Sequence, residues 1–174
     1  MRINRIFPLV VAALLLILPA CFKDNNNKSD YSQWQLQNIE YLDYIATLEE
    51  DGHLLYTPVT PVWDPSITIY MRWHNEDEDY NPSFITPLST STCRIKYTLK
   101  NIEGNTLDSS SNFVCTPNQL VTGFTTALTN MRVNDTVTAV IPATAGYGPY
   151  SFGSVLPYST LIFGIRLDSI SRLY

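Results

Sequence analysis

The chain has 174 residues, with 16 acidic and 11 basic side chains and a formal net charge of −5 at pH 7. That acidic balance gives no electrostatic footprint for nucleic acid or for an anionic lipid surface. His53 and His74 are the only histidines and no cysteine pair has ligand spacing, so neither a metal site nor a cofactor is expected.

Arg2 and Arg5 form a short basic start, followed by the apolar run Pro8 to Leu18 and then Pro19-Ala20-Cys21. This is the layout of a secretory signal over residues 1–20, and the run is too short to span a bilayer as a permanent helix. Leu18-Pro19-Ala20-Cys21 resembles a bacterial lipobox, which implies a mature N-terminus at Cys21 acylated on sulfur and nitrogen. Two or three acyl chains suffice for stable anchoring. Lys23-Asp24-Asn25-Asn26-Asn27-Lys28-Ser29-Asp30 has no apolar residue to bury, so residues 21–31 read as a flexible tether. The expected location is the bacterial cell envelope, with the domain lipid-anchored to a membrane outside the cytoplasm. Loss of Arg2 and Arg5 leaves nine basic against 16 acidic side chains, a mature balance of −7.

Ser32 to Glu50 has a helical pattern, with Trp34, Leu36, Ile39, Leu42, Ile45 and Leu48 at three- and four-residue steps. Ser32 is a candidate N-cap and Gly52 stands where a stop is expected. This N-terminal extension, residues 32–53, is expected to pack its stripe on a domain spanning 54–174. Leu54-Leu55-Tyr56 and the β-branched, aromatic run Ile67 to Trp73 read as strands. Asn75-Glu76-Asp77-Glu78-Asp79 is a contiguous charge run without the alternating ligand spacing of a calcium loop, and reads as solvated.

Arg94 to Leu99 alternates as a strand, Glu103-Gly104-Asn105 is a hairpin turn, and Leu107-Asp108 begins the return. Pro117 and Asn118 open a short helix from Gln119 to Leu128, and Val137 to Ile141 and Thr160 to Leu167 are the last strands. The expected class is α+β: an antiparallel sheet of about five strands wrapped round one short helix, plus the N-terminal helix.

Tyr97, Leu107-Asp108-Ser109-Ser110, Leu120-Val121-Thr122-Gly123-Phe124, Ala145-Gly146-Tyr147-Gly148 and Leu156-Pro157-Tyr158 through Phe163 follow in an order and spacing that resemble the FKBP-type peptidyl-prolyl cis-trans isomerases. The resemblance implies a shallow aromatic pocket that holds a proline ring. Phe124 would be its floor, and Tyr97, Phe113 and Phe163 its walls. Leu120 and Val121 would form the rim, with the Val121 backbone N–H as a donor. Tyr147 would offer its hydroxyl to a substrate carbonyl, Asp108 would sit beside Tyr97, and Leu107 and Val155 would complete the binding surface.

The chain departs from the family pattern in four places. Leu107 replaces an aromatic, Phe124 a tryptophan and Leu99 a glycine, and the loop from Pro149 to Val155 is about one residue short. These changes bear on turnover more than on fold. Two functions follow: an envelope-anchored isomerase or folding helper acting on X-Pro bonds of secreted proteins, or a non-catalytic module that holds a peptide or partner subunit. Either one implies a monomer whose partners are proline-containing segments of client proteins and, through the lipid, a membrane. The resemblance also puts Cys93 and Cys115 on neighbouring strands, as a disulfide or as two small buried hydrophobes.

Overall fold

A computed structural model of the protein describes residues 30–74 and 85–171. The signal segment, Cys21, nearly all of the tether and the acidic run at 75–79 lie outside the described residues.

Helix α1 (Ser32–Thr47) follows Tyr31, which makes no side-chain cap. The Asp30 carboxylate instead accepts the Ser32 N–H at 2.9 Å, so Ser32 is the first helical residue and not the N-cap. The helix stops three residues before Glu50 because Glu49–Glu50 (β1) folds back on His53–Leu54 (β2). Between them Asp51 (φ 52°) and Gly52 (φ 76°) both take left-handed backbone, as a two-residue hairpin turn of this twist requires. Gly52 therefore terminates a hairpin and not the helix.

The stripe that α1 buries differs from the one expected. Leu36 and Ile39 are 55% and 47% exposed, whereas Asn38 and Ile45 are buried, flanked by the half-buried Trp34, Tyr41 and Leu42. Polar recognition sets this rotation. The Asn38 Oδ1 accepts the Thr160 N–H at 2.6 Å, and its Nδ2 donates to the Trp34 carbonyl at 2.8 Å. The Trp34 indole N–H donates to Ser159 Oγ at 3.0 Å. Ser159 and Thr160 are buried, so a backbone N–H that water cannot reach is satisfied by a residue 122 positions away.

The remaining strands are β3 (Thr57–Val59), β4 (Ile69–Trp73), β5 (Thr92–Lys100), β6 (Thr106–Cys115), β7 (Thr136–Ile141) and β8 (Leu161–Ser171). They form one sheet in the order β3-β4-β7-β8-β5-β6, with every neighbouring pair antiparallel. The architecture is the α+β one expected, with one strand more. The addition, β3, is a short edge strand containing Pro58, a place where a missing N–H is tolerated. Of Leu54-Leu55-Tyr56 only Leu54 is in a strand.

Alternation along the strands builds the core: Ile69, Met71, Ile95, Leu99, Val137, Leu161, Ile165 and Leu167 are all buried. Helix α2 (Thr122–Thr129) packs on β4 and β7 and adds Phe124, Ala127 and Leu128. Its threonines remain compatible with burial because their hydroxyls bond locally: Thr126 to the Thr122 carbonyl at 2.8 Å, Thr125 to the Pro117 carbonyl. Among the described residues no helix is long and apolar enough to cross a membrane.

Cys93 and Cys115 face each other across β5 and β6. Both are buried and both thiols are free, so the candidate disulfide is not formed in this structure. Burial pushes Cys93 up to about 12, with Cys115 adding to it, and Cys115 up to about 11. Such thiols stay protonated and behave as small hydrophobes.

Asn38→Ala should cost about 1–3 kcal/mol, the range for leaving a buried donor unmet. Urea denaturation should show a lower midpoint at unchanged slope.

Candidate functional site

The site begins with a irregularity in the β5–β6 ladder. Ile95 pairs with Phe113, but two residues later Tyr97 pairs with Ser110, so β6 carries one extra residue there. A bulge of this kind re-aims side chains, and here it lets Tyr97 and Phe113 meet edge to face at 5.4 Å and 74°. A second shift, from Leu99 opposite Asp108 to Lys100 opposite Thr106, leaves Leu107 without a partner.

Helix α2 supplies the floor. The helix expected from Gln119 is divided: Pro117–Gln119 forms a 3-10 turn, Leu120 and Val121 are extended, and the α-helix starts at Thr122. That break leaves Leu120 and Val121 at the cavity edge. The Val121 N–H has no hydrogen bond among the described residues, as befits a residue that opens a helix. Gly123 then lets α2 close on the sheet, because a Cβ there would collide with the Ile141 side chain and press on Ala145. Phe124, the next residue, meets Phe163 of β8 at 4.5 Å and 77° and Tyr97 at 6.4 Å and 81°. Both contacts are edge-to-face, the arrangement aromatic quadrupoles favour.

The long β7–β8 connection supplies the remaining wall. It passes through a 3-10 turn at Ala143–Ala145, and is pinched where the Tyr158 N–H donates to the Gly148 carbonyl at 2.7 Å. Gly148 (φ 61°) and Tyr158 (φ 60°) both adopt left-handed backbone to make that pinch. Tyr147 stacks on Phe152 at 4.5 Å and 9°, and Phe152 is fixed by reciprocal backbone bonds with Val155 at 3.0 and 2.9 Å. Thr160, at the far end, is held by Asn38, so α1 braces the loop that carries Tyr147.

These elements enclose a cavity of about 470 Å³. Tyr97, Asp108, Phe113, Leu120, Val121, Phe124, Tyr147 and Phe163 all line it. Leu107 and Val155, expected in the binding surface, do not. Leu107 is the extra residue of its bulge and packs on the core, and Val155 is buried there as the partner of Phe152. Leu99, Gln119 and Phe152 line the cavity in addition. A trough of about 490 Å³ between His74, Lys96 and Arg166 is more open and lacks an aromatic cluster.

The cavity's polar groups are few and fixed. The Tyr97 hydroxyl donates to Asp108 Oδ2 at 2.6 Å, and the Ser109 N–H donates to Oδ1 at 2.8 Å. Burial, and then the Asp108 carboxylate that accepts its proton, push Tyr97 up to about 12. Burial and the same carboxylate also raise Tyr147, whose hydroxyl has no hydrogen-bond partner among the described residues. Two free donors, the Val121 N–H and the Tyr147 hydroxyl, therefore face a mostly apolar cup. Among the described residues no cluster of three or more His, Cys, Asp or Glu is placed to hold a metal ion.

The fold has several solved counterparts. A peptidyl-prolyl cis-trans isomerase from Pseudomonas syringae pv. tomato superposes with a TM-score of 0.65 at 19% identity, over 84% of this chain and 100% of that one. FkpA from Escherichia coli gives 0.63 at 19% identity, over 80% of this chain and 62% of the other. The three FKBP domains of wheat FKBP73 give 0.54 at 22% identity, over 66% and 50%. At these identities the likeness is one of fold. A comparison with curated proteins returns no match. The sequence pattern of the FKBP-type peptidyl-prolyl cis-trans isomerases matches residues 85–168, a span that contains every residue lining the cavity. Over residues 85–168, just under half of its length, the chain is thus similar to the FKBP-type peptidyl-prolyl cis-trans isomerase family.

Proposed function

We propose that the cup binds the proline ring of a client polypeptide and accelerates rotation about the preceding amide, with the protein acting on secreted chains at the cell envelope. The convergence of Tyr97, Phe124, Phe163 and Tyr147 on one cavity carries this reading.

The reaction needs no nucleophile and no proton relay. Rotation about the amide is slow because resonance must be broken, at about 18–20 kcal/mol, and uncatalysed exchange of X-Pro bonds takes tens of seconds or more. At the twisted state the amide has lost conjugation and is less polar than the planar form. An apolar cup therefore disfavours the planar ground state relative to the twisted one, which is differential binding of the transition state. Phe124 forms the floor under the ring, and Tyr97, Phe113 and Phe163 its walls. The Tyr147 hydroxyl and the Val121 N–H hold carbonyls on either side of the rotating bond, so the ring stays fixed while one amide plane turns. Asp108, held by Tyr97 and Ser109, keeps the Tyr97 ring upright. Each 1.4 kcal/mol of preference for the twisted form is about tenfold in rate.

A protease-coupled assay on a short X-Pro peptide tests this. Tyr147→Phe removes one hydroxyl and keeps the shape, so kcat/KM should fall about tenfold, near the upper range for one hydrogen bond, with Tm unchanged. Phe124→Ala should abolish turnover and also cost about 3–5 kcal/mol, since that ring is core as well as floor. Binding of the peptide without turnover by wild-type protein would favour a holding module.

The pH profile follows from Tyr97. Its folded value of about 12 lies above the ordinary 10, so its contribution to stability is complete below pH 10 and is lost as pH rises towards 12. Turnover should stay level from about pH 6 to 9, where neither Tyr97 nor Tyr147 ionises. A decline across that range would contradict the roles given to them.

The envelope location rests on the lipobox-like Leu18-Pro19-Ala20-Cys21. Cys21→Ser should release the protein from the membrane fraction, and mass spectrometry of the wild type should find acyl chains on Cys21. An unmodified Cys21 would remove the anchor from the proposal.

A further inference from the structure

Leu120 lines both the cup and a second depression of about 600 Å³ beside it. Its base is the outer side of α2, from Thr122 through Thr125 to Thr129, and its far wall is Trp63 and Leu88. The Thr125 hydroxyl is engaged by the Pro117 carbonyl and the Thr129 hydroxyl by the Thr125 carbonyl, so these residues have methyl groups left to offer. Trp63 and Leu88 are 58% and 55% exposed. None of the lining residues is ionisable. The walls are also tied together: the Asn118 N–H donates to the Ser89 carbonyl at 3.0 Å, and the Leu88 N–H to Ser91 Oγ at 2.9 Å. The groove is thus pre-formed and apolar, a combination that marks ligand grooves on soluble domains.

We propose that this groove is a second subsite for the same client chain, taking an apolar or aromatic side chain a few residues from the proline. The inference rests on the proline-cup reading. The shared Leu120 selects the occupant, because a chain leaving the cup across that rim meets the groove. An extended chain advances about 3.3 Å per residue, so a residue a few positions from the proline can pass the single side chain that the two depressions share. Trp63 supplies a flat apolar face and a free indole N–H for the adjoining backbone. The protein would thereby read two features of an unfolded client at once, a proline and a nearby large apolar residue.

The test compares kcat/KM of the full chain on a short X-Pro peptide with that on longer peptides. Each longer peptide carries one phenylalanine, or alanine as control, at successive positions up to about four residues from the proline. One position should raise kcat/KM about tenfold over its alanine control, through KM. Trp63→Ala should erase that gain and leave the short peptide's kcat/KM unchanged, and Leu88→Ala should reduce the gain in the same selective way. Equal kcat/KM for phenylalanine and alanine at every position overturns the groove and leaves the cup standing. So does an equal loss on short and long peptides in Trp63→Ala. Failure of wild-type protein to turn over either length overturns the cup, and the groove with it.

Discussion

At Gly123 the helix that floors the cup approaches the sheet so closely that no side chain fits between them. A Cβ at that position would run into Ile141 and Ala145, so any larger residue would push α2 outward. Everything functional hangs on this distance. Phe124 reaches Phe163 at 4.5 Å only because its neighbour is a glycine, and the extended Leu120-Val121 reaches the cavity edge only because α2 begins where it does. Ala145 belongs to the turn that leads directly to Tyr147, so the same contact locates a wall as well as the floor.

The cup is consequently not separable from the core. Phe124 and Phe163 are 4% and 6% exposed and belong to the same apolar cluster as Leu128 and Ile165. Interior packing density keeps such rings in place, which a site needs if it is to hold a proline ring still while one bond rotates. What distinguishes the site from the rest of the interior is its small set of unmatched donors. Among the described residues no buried side-chain nitrogen or oxygen lacks a partner, so the half-buried Tyr147 hydroxyl and the Val121 N–H stand out as groups waiting for one. Far from the cup, α1 bonds to the end of the Tyr147 loop through Asn38, and this gives an otherwise peripheral helix a part in shaping the site.

The aromatic constellation was legible in the sequence because it depends on order and spacing that short turns preserve: Tyr97, Asp108, Phe124, Tyr147 and Phe163 converge as their motif implies. What was not legible depends on contacts between distant segments. The face α1 buries is chosen by Asn38 meeting Thr160, and no periodicity within α1 announces a polar residue as its most buried one. Leu107 and Val155 do not line the cavity because of a bulge and a tight turn, two features of register that single residues do not signal. Phe152 lines the cavity with its ring stacked on Tyr147, a contact set by the fold of the loop. Cys93 and Cys115 fell on neighbouring strands as the resemblance implied, but adjacency alone does not decide between thiol and disulfide.

The central claim is that the cup recognises a proline ring and lets its amide turn. The most direct measurement is two-dimensional NMR exchange on an X-Pro peptide with catalytic amounts of the protein, with the protein's own amide shifts followed at higher ratio. The account predicts faster exchange between the cis and trans signals, and shifts centred on Val121, Phe124, Tyr147 and Phe163 that vanish when alanine replaces the proline. Unchanged exchange, or shifts that persist with alanine or lie away from these residues, would contradict it.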